Sequence, residues 1–131
     1  MRILVVDDDY ISRVKLTRLL SDHGHCDSSP NGDIAIRLFA AAYKESAPYN
    51  LITLDIEMPD MSGQEVVMRI REMEKSWRDV SDSPTKVLMV TAKDRAKDVV
   101  SSYYEGCDGY LAKPIRPDRL NKALAEIGIK H

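Results

Sequence analysis

Cysteine, histidine and the large aromatics are scarce in this chain of 131 residues, and no long hydrophobic run interrupts it. The two cysteines, Cys26 and Cys107, stand alone with no C-x-x-C spacing. That excludes a disulfide framework or a redox pair and fits reduced thiols in a cytoplasmic protein. His23, His25 and His131 lack partners at metal-ligand spacing, so a site built on histidine and cysteine is excluded. Only Ile3 to Val6 precede an aspartate run, too little for a signal-peptide core, and nothing approaches the ~20 apolar residues that span a bilayer. No membrane association is expected. Nor does one charge dominate: 19 Lys and Arg stand against 21 Asp and Glu, for a net charge of -2. Such a balance gives no electrostatic ground for direct nucleic-acid binding. With no repeat, low-complexity tract or linker, residues 1–131 are expected to form one domain long enough to bury a core.

What the chain does have is four short apolar runs, each ending on a chemically loaded residue. Ile3-Leu4-Val5-Val6 leads into Asp7-Asp8-Asp9, and Leu51-Ile52-Thr53-Leu54 into Asp55. Val87-Leu88-Met89-Val90 leads into Thr91, and Tyr110-Leu111-Ala112 into Lys113-Pro114. Runs of this length separated by helix-length stretches read as parallel strands joined by helical crossovers. Helices are expected from Tyr10 to His23, with Asp9 or Ser12 as cap and Gly24 as stop, and from Ile34 to Glu45 after the Asn31-Gly32 turn. Others are expected from Gly63 through Trp77 to Val80, and from Asp94 to the Tyr103-Tyr104 pair. A last helix opens at Arg116-Pro117-Asp118, with proline in its first turn. Gly24 to Ser29 is polar on both faces and suits a sheet edge, whereas Tyr49 to Leu54 reads as a central strand. The pattern is an α/β chain of the (βα)5 type.

In a parallel sheet, residues just past the strand C-termini gather at one edge, where open α/β sheets place their sites. Three carboxylates, a hydroxyl and an ammonium from distant parts of the chain are therefore expected in one cleft. This set suits phosphoryl chemistry on an aspartate with a divalent cation, since hard oxygen ligands hold the metal and positioned donors read the phosphoryl oxygens. Without metal, the clustered carboxylates repel one another, and at least one of them should titrate high.

Taken in order, V-V-D-D at the first strand end, L-D-I-E-M-P at the third, V-T-A at the fourth and K-P after the fifth resemble the response regulator receiver domain of two-component signalling. The resemblance implies a flavodoxin-like, doubly wound fold with a five-stranded parallel sheet in the order 2-1-3-4-5. It also implies Asp55 as the phospho-acceptor and Mg2+ as the cofactor. Asp8 would hold the cation directly and Asp7 through water, with Asp55 and the backbone carbonyl of Glu57 completing the protein's share. Thr91 would donate its hydroxyl to a phosphoryl oxygen. Lys113 would reach the phosphoryl oxygens or, before phosphorylation, Asp55 itself, and the Lys113-Pro114 bond is a candidate for cis.

Tyr110 stands where that family keeps a switch aromatic. Thr91, drawn toward the phosphoryl group, would vacate space for the Tyr110 ring and alter the face made by the fourth helix, fifth strand and last helix. Glu57 and Lys93 would flank the water route to the phosphoaspartate, where an ion pair is expected to lengthen the phosphate's lifetime. The implied partners are a sensor histidine kinase or phosphotransfer protein as donor, and a downstream protein bound through the switching face. A monomer or weak dimer is expected, with no enzyme activity beyond self-catalysed phosphotransfer and autodephosphorylation.

Two other readings stay open on the residues alone. Asp7-Asp8-Asp9 contains a D-x-D after the first strand, as a phosphatase of the haloacid dehalogenase type requires, with Asp7 as nucleophile; the chain is short for that fold and its cap. The other is a pseudo-receiver that binds partners without phosphorylation. Trp77, the only tryptophan, is expected to cover the core or the sheet bottom rather than to mark a docking site. No effector follows the last helix, which suggests output through protein contacts, as in stand-alone chemotaxis-type regulators; a receiver cut from a longer protein reads the same way.

Overall fold

The computed structural model describes residues 1–77, 83–92 and 106–129. Its strands are β1 (Arg2–Val6), β2 (His25–Ser29), β3 (Leu51–Asp55), β4 (Lys86–Thr91) and β5 (Gly109–Ala112). The helices are α1 (Tyr10–Leu20), α2 (Gly32–Lys44), α3 (Gly63–Trp77) and α4 (Pro117–Glu126). All strand pairs are parallel, in one five-stranded sheet of order β2-β1-β3-β4-β5. Val80, Lys93, the helix expected from Asp94 to Tyr104, and His131 lie outside the described residues.

The central strands are nearly continuous apolar runs because both of their faces are covered, as parallel sheets require. Their period-2 alternation divides the core. Leu4, Val6, Ile52, Leu54 and Met89 pack with Phe39 of α2 and Val66 and Ile70 of α3. Ile3, Val5, Leu51, Leu88 and Val90 pack with Leu16 and Leu20 of α1 and Leu120 and Leu124 of α4. Among the described residues, no helix is long and apolar enough to cross a membrane.

Several boundaries differ from expectation for local reasons. The strand read from Tyr49 begins at Leu51, just past Asn50, which still bonds Arg2 O and Lys86 N on both sides; the buried Tyr49 hydroxyl donates to Asp27 at 2.7 Å. The Arg2 guanidinium sits 4.9 Å over that ring and 3.4 Å from the same carboxylate. Burial alone would raise the Asp27 carboxyl, but the Tyr49 hydroxyl, Arg2 and His25 outweigh it and hold it below the ordinary range. This network explains how a polar strand is tolerated at the edge. α1 stops at Leu20 rather than His23, and the N–H of Ser21, its C-cap, reaches back to Arg18 O. Asp9 caps its start, accepting from Ser12 N at 3.0 Å. α2 begins two residues early, at Gly32, where a Cβ would lie 2.7 Å from Val66 Cγ2. Trp77 corrects one expectation: it is 50% exposed and meets Tyr43 of α2 edge-on at 6.2 Å, so it covers the seam between α2 and α3 rather than the sheet bottom.

Arg71 of α3 ties together the segments that lead into β4 and β5. Its guanidinium donates to Gly106 O at 2.7 and 2.8 Å, to Thr85 O at 2.8 Å and to Asp108 at 3.0 Å, and it pairs with buried Glu74. Glu74 in turn accepts from Thr85 N at 2.8 Å.

Candidate functional site

At the carboxyl edge of the sheet, the pairing of Val6 with Leu54 sets Asp7 and Asp55 side by side on neighbouring strands. Thr91 closes β4 opposite Ala112, which places Lys113 at the same edge. One carboxylate oxygen each from Asp7, Asp8 and Asp55 lie within 4.8 Å of one another. Asp7 and Asp55 are 2% and 6% exposed, and Asp8 faces solvent. Hard oxygens gathered with one side open to water suit a small divalent cation that keeps part of its hydration. The donor set therefore fits Mg2+.

Lys113 Nζ lies 3.1 Å from Asp7 Oδ2 and 3.8 Å from Asp55 Oδ2. The ammonium thus sits on Asp7 more closely than on Asp55, where it was expected. Asp7 is the more deeply buried of the two, its other oxygen accepts from Asp9 N at 2.9 Å, and Lys113 completes its partners. Burial alone would lower the Lys113 ammonium, but Asp55 and Asp7 outweigh it and hold it above its ordinary value. Asp55 is pushed up to about 7, first by burial. Lys113 opposes this, Asp7 adds to it, the Glu57 N–H opposes it, and a hydrogen bond to Asp8 favours the protonated form. One acid of the cluster is therefore raised, by burial first and by the neighbouring carboxylates second.

Thr91 is buried, and its Oγ1 has no hydrogen-bond partner among the described residues. Its carbonyl accepts from Lys113 N at 2.7 Å, and the Lys113–Pro114 bond is cis. The Glu57 backbone N–H donates to Asp55 Oδ1 at 3.2 Å. Because Lys93 is outside the described residues, its pairing with Glu57 is too. Tyr110 is 39% exposed on β5. Two contributors escaped the sequence reading. Gly63 lets α3 approach the strand, since a Cβ there would lie 2.6 Å from Asp55 O; the Pro/Gly loop before it was visible, but its closeness was not. Arg13 Nη1 donates to Asp7 O at 2.8 Å, a contact whose only sequence signal is a cation four residues past the Asp9 cap.

Fold and site together define a doubly wound α/β signalling module with an acidic, lysine-bearing cleft at the carboxyl edge of its sheet. The chain belongs to the response regulator receiver family, whose domain model matches residues 3–125. A receiver domain is a signalling module and not a true enzyme, which sets the phosphatase reading aside. The transcriptional regulatory protein TcrA of Mycobacterium tuberculosis is 32% identical over 120 residues, covering 92% of this chain and 43% of that protein. The chain thus spans less than half the length of that relative.

Among solved structures, the receiver domain of the histidine kinase CKI1 from Arabidopsis thaliana, complexed with Mg2+ and BeF3−, is similar with a TM-score of 0.74 and 28% identity. The match covers 96% of this chain and 88% of that one. The receiver domain of Ssk1 from Saccharomyces cerevisiae, co-crystallised with the histidine phosphotransfer protein Ypd1, gives a TM-score of 0.76 at 28% identity over 95% of this chain and 86% of that one.

Proposed function

We propose that Asp55 accepts a phosphoryl group from a phosphohistidine on a sensor histidine kinase or phosphotransfer protein, with Mg2+ held by Asp8, Asp7, Asp55 and the Glu57 carbonyl. The observation that carries this is the gathering of the Asp7, Asp8 and Asp55 carboxylates, with the Lys113 ammonium on Asp7 and Asp55. The similar CKI1 receiver complexed with Mg2+ and BeF3−, and the Ssk1 receiver seated with a phosphotransfer protein, point the same way.

An ionised Asp55 oxygen attacks phosphorus as the donor's P–N bond breaks, and the imidazole nitrogen departs with the electron pair. A bound divalent cation supplies charge neutralisation for the phosphoryl oxygens. Lys113 stands between Asp7 and Asp55 and takes up a phosphoryl oxygen, while the Thr91 hydroxyl, without a hydrogen-bond partner among the described residues, donates to another. Burial of Asp55 excludes water from the acyl phosphate. A groove of about 440 Å3 lined by Ile11, Lys15, Ala92, Lys113, Pro114 and Ile115 adjoins this point and suits the donor's approach.

Movement of Thr91 toward the phosphoryl group lets Tyr110 turn inward, which changes the face around β5 and α4 for a downstream protein. Glu57 and Lys93 tune the lifetime of the phosphate. The protein works in the cytoplasm as a monomer or weak dimer, without direct contact to nucleic acid. Incubation with acetyl phosphate and Mg2+, followed by intact mass and peptide mapping, tests the assignment. Wild type should carry one phosphate and Asp55→Ala none. A phosphate on Asp7 would restore the phosphatase reading, and no Mg2+-dependent labelling would favour a pseudo-receiver.

A further inference from the structure

We infer that Arg13, which belongs to no ligand set, is the positioning residue that holds the Asp7–Asp8 peptide in the orientation a bound divalent cation requires; this rests on the reading of Asp7, Asp8 and Asp55 as a Mg2+ site. Two of the three carboxylates are fixed by partners of their own. Asp7 is buried, with Asp9 N on one oxygen at 2.9 Å and Lys113 Nζ on the other at 3.1 Å. Asp55 is buried and accepts from Glu57 N at 3.2 Å. Asp8 differs: it faces solvent, and its electrostatic neighbours among the described residues are the Asp55 carboxyl and the Lys113 ammonium. With neither gripping it as Asp7 is gripped, the direction of the Asp8 carboxylate depends strongly on its backbone.

That backbone is held from α1. The Asp7 carbonyl and the Asp8 N–H belong to one planar peptide, so fixing the carbonyl fixes the plane from which Asp8 departs. Arg13 Nη1 donates to this carbonyl at 2.8 Å, and the guanidinium is steadied by the Tyr10 ring, 5.6 Å away. The helix that presents Arg13 is itself tied to the loop, since Arg13 N donates to Asp9 O at 2.9 Å and Asp9 caps Ser12. Among the three consecutive aspartates, the guanidinium attracts the exposed Asp9 carboxylate at longer range, but its hydrogen bond goes to the Asp7 carbonyl. A counter-ion alone would place its donors on a carboxylate. This one is directed at a carbonyl, as a brace would be.

The two roles predict opposite signs. A spectator cation near a metal site repels the metal, so removing it tightens binding; removing a brace loosens it. Isothermal titration with Mg2+ on wild type, Arg13→Met and Arg13→Lys, with urea unfolding to confirm that each is folded, separates them. Arg13→Met should bind Mg2+ about tenfold more weakly, the usual loss when a group that orients a ligand is removed. Arg13→Lys, which keeps charge and a donor, should recover most of that loss. Unchanged or tighter binding by Arg13→Met overturns the inference while leaving the Mg2+ site standing. Should Arg13→Met not fold, Arg13→Gln carries the same contrast, and unchanged or tighter binding there overturns it equally. A wild type that takes up no Mg2+ overturns the site itself and the inference with it.

Discussion

Replacing Asp55 by asparagine should stabilise the metal-free protein, and only above a definite pH. Asp55 is pushed up to about 7, chiefly by burial and by Asp7, while an unfolded chain holds an aspartate near its ordinary value of about 4. For a carboxyl raised in the folded state, the favourable contribution is complete below about pH 4 and is lost as pH rises through about 7. Above both values, ionising Asp55 in place costs on the order of a few kcal/mol, since each pKa unit is worth about 1.4 kcal/mol and solvent at the cleft mouth screens part of it. A neutral asparagine carries no such cost, and its amide oxygen can still accept from Glu57 N, which lies 3.2 Å from Asp55 Oδ1. At pH 8 in chelator, Asp55→Asn should therefore be more stable by about 2–4 kcal/mol, on the order of 10 °C in Tm. At pH 4 the two should nearly coincide. Urea unfolding followed by the single tryptophan, Trp77, measures both. Saturating Mg2+ should close most of the gap, because it binds the folded wild type and not the unfolded chain. A variant no more stable than wild type at pH 8 in chelator would refute the argument that burial and carboxylate crowding set the Asp55 pKa.

Other consequences follow from named contacts. Gly63→Ala forces a Cβ to within 2.6 Å of Asp55 O, a backbone atom that cannot swing aside, so it should cost about 1–3 kcal/mol in urea unfolding and slow acetyl phosphate labelling of Asp55. Arg71→Met strips Glu74 of its guanidinium and leaves Gly106 O and Thr85 O unpaired, at about 3 kcal/mol; Arg71→Lys, with fewer donors, should fall between. Mg2+ affinity should fall about tenfold from pH 8 to pH 6, because a proton on Asp55 competes with the metal. Affinity that is flat across that range by isothermal titration would show that Asp55 does not titrate within the cation site.

The strand ends were legible because the apolar runs are short, β-rich and each stopped by a polar residue, so Asp7, Asp8, Asp55, Thr91 and Lys113 could be assigned to one edge before any geometry was known. The edge position of β2 is legible in its polarity, while the full order of the sheet rests on the family resemblance. Tyr49 fits the apolar pattern of Leu51 to Leu54 yet lies just outside β3, its hydroxyl 2.7 Å from Asp27, a partner the pattern does not show. Arg71 could not be found from sequence: its partners Thr85, Gly106 and Asp108 are 14, 35 and 37 residues away, and two of its acceptors are backbone carbonyls with no compositional trace. Arg13 shares only the second feature: its acceptor, the Asp7 carbonyl six residues back, is backbone. The preference of Lys113 for Asp7 over Asp55 is a matter of less than 1 Å, 3.1 against 3.8 Å, which motif spacing does not encode.

Formal charge links the chemistry of the cleft to its stability. Three carboxylates face one ammonium among the described residues, an excess of two negative charges when all are ionised. The metal-free protein can relieve this by keeping a proton on Asp55, which is the route that burial favours, but a protonated carboxyl is no nucleophile. A divalent cation relieves it without a proton and leaves Asp55 able to attack. The phosphoryl group then replaces one carboxylate charge with about two. The cation-loaded cleft therefore ends with one excess charge, and a cation-free cleft would end with three. A burden of three, with Asp7 and Asp55 buried, would be costly, which is the physical ground for expecting the proposed phosphoryl acceptance on Asp55 to require the metal. The same excess makes the metal-free cleft costly, and Asp55→Asn is expected to relieve it.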